Sequence, residues 1–207
     1  MLLLLGKAVL LFFIVTNNFL RILLHHAGWN AAFGAWVCAL VALGAVVGLI
    51  REWRVQADVS WARIGVDSWP SAGAWALGAG AGILALGAHI LISQWIPVDH
   101  ARNLANTLAE ISAPFWKTQT AMLLLIYAAL EELFFRGFFL ACLRKRFGDV
   151  RAVLGAAALF ALFHASLTDA PRHFAMGVIY GAVAIGTGSI YPLILGHWMH
   201  NAFAVFG

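Results

Sequence analysis

The chain has 207 residues, of which 63% are hydrophobic and 11% charged, against about 45–50% apolar and about 25% charged in ordinary soluble domains. Such a composition excludes a soluble globular enzyme and points to an all-α, polytopic membrane helix bundle. The length accommodates about seven spans, with a range of six to eight, and leaves no room for a separate soluble domain. The net charge of +4 does not argue for nucleic acid, because the Lys and Arg residues gather at span ends, where they orient a membrane protein and meet lipid headgroups.

The first apolar run extends from Leu2 to Leu24, with Arg21, His25 and His26 at its exit. It lacks a basic region before the run and a small-x-small cleavage site after it, so it reads as a retained span and not a removed signal. A second run, Ala27 to Ile50, is rich in Ala and Gly, as close-packed membrane helices are. Arg51 to Pro70 follows as a polar connection whose three arginines and three tryptophans suit a segment at the membrane surface. No catalytic role is expected of it.

The third run, Ser71 to Ile96, carries Gly78, Gly80, Gly82 and Gly87 and a single polar interruption, His89, read as packing or an interfacial group. Pro97 to Lys117 is a second polar connection, with a short amphipathic helix near Arg102 to Ile111. A fourth run, Thr118 to Leu143, contains LEELFFRGFF. Arg144, Lys145 and Arg146 with Gly148 and Asp149 make the sharpest turn signal in the chain. The fifth run goes from Arg151 to Leu167, the sixth from His173 to Ile190 and the last from Pro192 to Phe206. Cys38 and Cys142 lie in apolar stretches without metal or redox spacing and read as small buried hydrophobes. The division expected is 1–116 for N-terminal helices and interfacial connections, and 117–207 for the chemistry-bearing helical core.

Loop charges give an orientation. Arg51, Arg54, Arg63, Arg144, Lys145, Arg146 and Arg151 follow the second and fourth spans, whereas Arg21, Arg102, Lys117 and Arg172 follow the first, third and fifth. The positive-inside rule then places the N-terminus in the cytoplasm.

Three charges within the fourth run, Glu131, Glu132 and Arg136, need a reason, since each costs roughly 2.5–3.5 kcal/mol at a bilayer centre. On an α-helix Arg136 lies about 40° from Glu132 and about 140° from Glu131. Glu132 and Arg136 therefore pair at i,i+4, and Glu131 points elsewhere as a candidate general base. If the fourth and fifth runs form an antiparallel hairpin turning between Phe147 and Gly148, Glu131 and His164 are equally far from the turn and share a depth. In the last run His197 and Asn201 share a helix face, while His200 is rotated by about 60° from His197. Any one of these could be interhelical glue. Together with Glu131 and His164 they supply what amide hydrolysis requires, a base with an orienting histidine for water and donors for the oxyanion.

EELFFRG resembles the EExxxR motif of the CAAX protease and bacteriocin-processing (CPBP, or ABI) family of intramembrane endopeptidases. FALFH, Phe160 to His164, is similar to its FxxxH motif, and HWMHN, His197 to Asn201, to its HxxxN/D motif. The likeness covers about Thr118 to Phe206. It implies an intramembrane glutamic protease in which Glu131 and His164 activate water, His197 and Asn201 stabilise the oxyanion, and Glu132 and Arg136 support them. His200 stands outside the motif and reads as packing. No cofactor is implied. A zinc site of Glu131, His164 and His197 is the secondary reading, and no HExxH occurs.

The implied partners are a membrane-associated protein or peptide substrate and the lipid bilayer itself, in a prokaryotic cell (inner) membrane, with cleavage of a C-terminal tail, a sorting signal or a maturing peptide. Two readings of other classes compete. A transporter or proton conduit would also bury Glu, Arg and His, but its polar residues would be strung through repeated halves, and here they gather on three C-terminal segments. A non-catalytic immunity scaffold would keep the fold without the complete motif set.

Overall fold

A computed structural model of the chain describes residues 31–67, 69–96, 116–164 and 166–206, and every regular element among them is helical. Helix α1 is Ala31–Gln56, the short α2 is Trp61–Ile64, and α3 is Ala72–Ser93. A long rod follows, made of α4 (Trp116–Glu131), a π-helical segment (Glu132–Phe139) and α5 (Leu140–Phe147). It is succeeded by α6 (Asp149–Phe163), α7 (Ala170–Thr187) and α8 (Tyr191–Phe206). The expected span at Leu2 to Leu24 and the amphipathic helix at Arg102 to Ile111 lie outside the described residues.

Among the described residues, two stretches are long and apolar enough to cross a membrane, Phe33–Gln56 and Ala72–Ser93. Helix α6 has 15 residues and rises only about 22 Å, short of the roughly 30 Å hydrocarbon layer. The expected run to Leu167 therefore ends early, and His164 caps the helix with φ −73° and ψ −4°.

Small residues decide how closely the helices approach. A methyl group on Gly82 of α3 would lie 2.5 Å from the carbonyl oxygen of Gly196 on α8, and one on Gly78 within 2.6 Å of three Pro192 atoms. The two backbones touch because neither side chain exists, which is the usual route to tight helix pairs in an apolar solvent. This contact fixes α8 one residue before His197. A methyl group on Gly177 of α7 would likewise lie 2.6 Å from Ala157 Cα of α6.

The hairpin of α5 and α6 turns at Gly148, whose φ of 75° only glycine adopts without strain. Phe135 then meets Phe160, ring centroids 5.2 Å apart, and both are nearly equidistant from the turn, as the expected register requires. The core is formed by Leu130, Phe134, Phe135, Phe138, Leu140, Phe160, Tyr180 and Leu193, all essentially inaccessible.

The polar connection expected to lie on the surface is more deeply built in. Arg51 to Gln56 continues helix α1, and Trp53, Val59 and Ile64 join the core. Ile64 presses on Gly137 of the π-helical segment, where an added methyl would sit 2.8 Å from its side chain. The Ile190 amide donates to the Gly65 carbonyl at 3.1 Å and the Tyr191 hydroxyl to the Val66 carbonyl at 2.9 Å. The segment braces the rod that carries the two glutamates and the start of α8.

Candidate active site

Glu132, Arg136 and His197 are the buried centre. Arg136 Nη1 donates to Glu132 Oε1 at 3.0 Å, four residues apart as the spacing indicates, and both side chains are almost wholly inaccessible. The carboxylate oxygen that accepts from Arg136 also accepts from His197 Nδ1 at 2.7 Å. That second bond comes from the last helix and is invisible in local sequence. It makes Glu132 the hinge between the rod and α8, a larger part than pairing with Arg136 alone.

Glu131 is the end of α4, the last residue before the backbone widens into the π-helical segment, which opens the helix by one residue per hydrogen-bonded ring. The uniform 100° step of an α-helix therefore does not hold beyond Glu131, although the Glu132–Arg136 bond survives. Glu131 Oε2 lies 3.7 Å from His197 Nε2, and its side chain is 18% exposed while that of Glu132 is fully buried. The two ring nitrogens of His197 thus face two carboxylates, one sealed and one reachable. An accepting carboxylate at Nδ1 fixes that nitrogen as a donor.

His164 stands at the C-terminal cap of α6 and is half-buried. Its Nδ1 donates to the Phe160 carbonyl at 2.8 Å, which in the neutral ring leaves Nε2 as the acceptor nitrogen. Glu131, Arg136 and His197 are all within electrostatic range of its ring. Asn201 is one turn beyond His197 on α8 and half-buried. The structure therefore brings Glu131, Glu132, Arg136, His164 and His197 around one centre, with Asn201 next along the same helix.

Phe160 is the packing hub of this centre. The Arg136 guanidinium lies over its ring at 4.1 Å, and His164 and His197 meet its edges with centroids at 4.7 and 6.1 Å. Tyr180 from α7 stacks against His197 at 5.5 Å and lies under Arg136 at 5.5 Å. Cation–π contacts of this kind, removed from water, are worth about 2 kcal/mol. Phe160 was legible only as the first letter of FALFH, and Tyr180 carried no sequence signal. Among the described residues, Glu132 Oε2, Arg136 Nη2 and the Tyr180 hydroxyl are buried atoms without a hydrogen-bond partner, so the centre holds unused polar capacity.

Two other polar pairs lie outside this centre. His200, read as packing, is buried with its Nε2 3.4 Å from His89 Nδ1 on α3, the rings edge to face. Arg172 and Asp169 form a buried ion pair at 2.5 Å, and Arg172 also donates to Ser93 Oγ, Thr168 O and Ile96 O. Among the described residues no group of three or more His, Cys, Asp or Glu side chains is gathered as a metal ion requires, and no step through a metal is derived.

In comparisons with known proteins, residues 113–203 match the family model described as Type II CAAX prenyl endopeptidase Rce1-like. No curated protein and no solved structure matches the chain.

Proposed function

We propose, from the match of residues 113–203 to the Rce1-like type II CAAX prenyl endopeptidase model, that this chain is a protease of that kind and hydrolyses a peptide bond close to the membrane in a membrane-associated protein or peptide. The observation that carries the reading is His197 held between two carboxylates, with Glu132 on Nδ1 and Glu131 facing Nε2.

In the proposed mechanism Glu131, the reachable carboxylate, takes a proton from water as it attacks the scissile carbonyl, with His164 Nε2 orienting that water. In this scheme His197 acts as the imidazolium, with Nδ1–H kept on Glu132, so that Nε2–H donates to the developing oxyanion, and Asn201 supplies a second donor from the next turn of α8. Glu132 and Arg136 keep His197 in place and offset one another's buried charge. The proton taken by Glu131 passes to the leaving amine. No metal enters this scheme. The substrates we favour are C-terminal sorting tails or maturing peptides, in a bundle of about seven spans with the N-terminus in the cytoplasm of a prokaryotic cell.

The test is co-expression with tagged candidate substrates encoded nearby, comparing the wild type with His164→Ala and His197→Ala. Cleavage should be lost in both while the proteins remain in the membrane; undiminished cleavage by either removes that residue from the mechanism. Metal analysis of the purified protein separates the chemistries: activity lost to a chelator and restored by zinc would replace the metal-free scheme.

A further inference from the structure

His173 opens the sixth apolar run and belongs to none of the three motifs. Its imidazole nevertheless lies flat on that of His164, with centroids 3.6 Å apart and planes 16° from parallel. Each ring is tethered in the same way. His164 Nδ1 donates to the carbonyl of Phe160, and His173 Nδ1 to the carbonyl of Asp169 at 3.0 Å, in both cases four residues back. A carbonyl only accepts, so each Nδ1 carries hydrogen and each Nε2 is the nitrogen left to do something else.

Such a brace has a physical reason. His164 is at a helix cap, beyond the last regular turn of α6, where the backbone restrains its ring less than a helix interior does. Phe160 and Phe163 meet the His164 ring edge-on at 4.7 and 5.8 Å. His173 covers one of its flat faces with a parallel contact, which neither of those perpendicular ring pairs supplies. His173 is itself anchored from outside the site: the Asp169 side chain is gripped by Arg172 and by Ser166 Oγ at 2.9 Å, and Arg172 reaches across to Ser93 and Ile96 at the end of α3. The path from α3 to His164 thus runs through named contacts at every step.

We propose that His173 is a positioning residue that stacks on His164 and holds it in the orientation that presents Nε2 to the reacting water. The proposal rests on the reading of His164 as the water-orienting group. It assigns His173 no proton transfer. The planar ring is what matters, so an aromatic replacement suffices and a non-planar one of similar size does not.

The experiment uses the purified full chain with His173→Phe, His173→Leu and His173→Ala. Two quantities are read: kcat and KM on a cleaved substrate, and the rate at which diethyl pyrocarbonate acylates His164, followed by mass spectrometry of the peptide. For His173→Leu and His173→Ala, kcat should fall by about ten- to a hundredfold, with KM little changed, as expected when a reacting group is misplaced by around an ångström. The His164 acylation rate should change several-fold, whereas His173→Phe should restore both readouts to near wild type.

If His173→Ala does not fold, His173→Leu, which fills the space, carries the comparison. Wild-type kcat and wild-type His164 reactivity in the leucine variant would overturn the proposal. So would a folded phenylalanine variant that fails as badly as the leucine one, since the ring nitrogens would then be the essential feature. The acylation readout does not depend on proteolysis, so loss of the protease reading alone leaves this test standing.

Discussion

Two buried ion pairs sit at opposite ends of the same problem, and they are completed differently. Asp169 and Arg172 are three residues apart on a loop and the start of α7, and Arg172 spends its Nε, Nη1 and Nη2 on Ser93, Asp169, Thr168 and Ile96. Glu132 and Arg136 are four apart within the π-helical segment, and Glu132 Oε2 and Arg136 Nη2 remain without a hydrogen-bond partner in the described structure. The first pair is saturated and clasps three segments. The second keeps polar capacity beside a reachable carboxylate, Glu131. Buried charges that satisfy one another completely are held in one arrangement and are costly to break, and those that do so incompletely leave groups available for chemistry.

The comparison breaks most readily at its arginines. Removing Arg136 leaves Glu132 buried and uncompensated, which should cost about 3–5 kcal/mol and lower the melting temperature in detergent. It should also abolish turnover, because His197 loses its anchored partner. Arg172→Ala should destabilise by a similar amount, about 3–5 kcal/mol, but the folded fraction should retain far more activity than Arg136→Ala does. Equal turnover losses per folded molecule would erase the distinction. If Arg136→Ala melts like the wild type while turnover vanishes, its supporting role is wrong.

A smaller effect is expected at the close contact that sets α8 against α3. Gly82→Ala forces a methyl to 2.5 Å from the Gly196 carbonyl, and relieving that overlap should cost about 1–3 kcal/mol. Because Gly196 precedes His197, activity should fall with stability. An alanine variant with wild-type melting and turnover would show that the helices have freedom to separate.

The smallest effect belongs to the surface. Lys145 holds the exposed Asp58 carboxyl below the usual carboxylate range through a 2.6 Å bond. With the folded-state value lowered, whatever stability the pair gives is fully present above the ordinary carboxylate range and lost as the pH falls from there through the lowered folded-state value. The difference in melting between wild type and Lys145→Met should therefore be slight at pH 7 and shrink as the pH falls below the ordinary carboxylate range. A difference that grows on acidification would contradict the sign.

Much of the site was legible because burying charge is expensive. Glu131, Glu132 and Arg136 stood out against an apolar run, the i,i+4 spacing paired Glu132 with Arg136, and the turn expected between Phe147 and Gly148 gave a hairpin register that the Phe135–Phe160 contact fits. These inferences are local or rest on a single hairpin. The Glu132–His197 bond, the Tyr180 stack and the His89–His200 pair were not legible, since each depends on how α3, α7 and α8 pack against the rod. The π-helical widening was missed because residue spacing was read at one fixed angle. Arg172 shows the same limit: in the orientation argument it counted as a loop charge, whereas in the fold it is buried and clasped. The segment from Arg51 to Pro70 looked superficial because its arginines and tryptophans dominate its composition, yet Ile64 is the residue that meets Gly137.

The claim at the centre of this account is that the reachable carboxylate, and not its buried neighbour, activates water. It is tested most directly by measuring kcat of purified Glu131→Gln protein whose melting matches the wild type. General-base removal predicts a fall of about 10²–10⁴-fold with the fold intact. Turnover within a few-fold of wild type by that folded variant would contradict it.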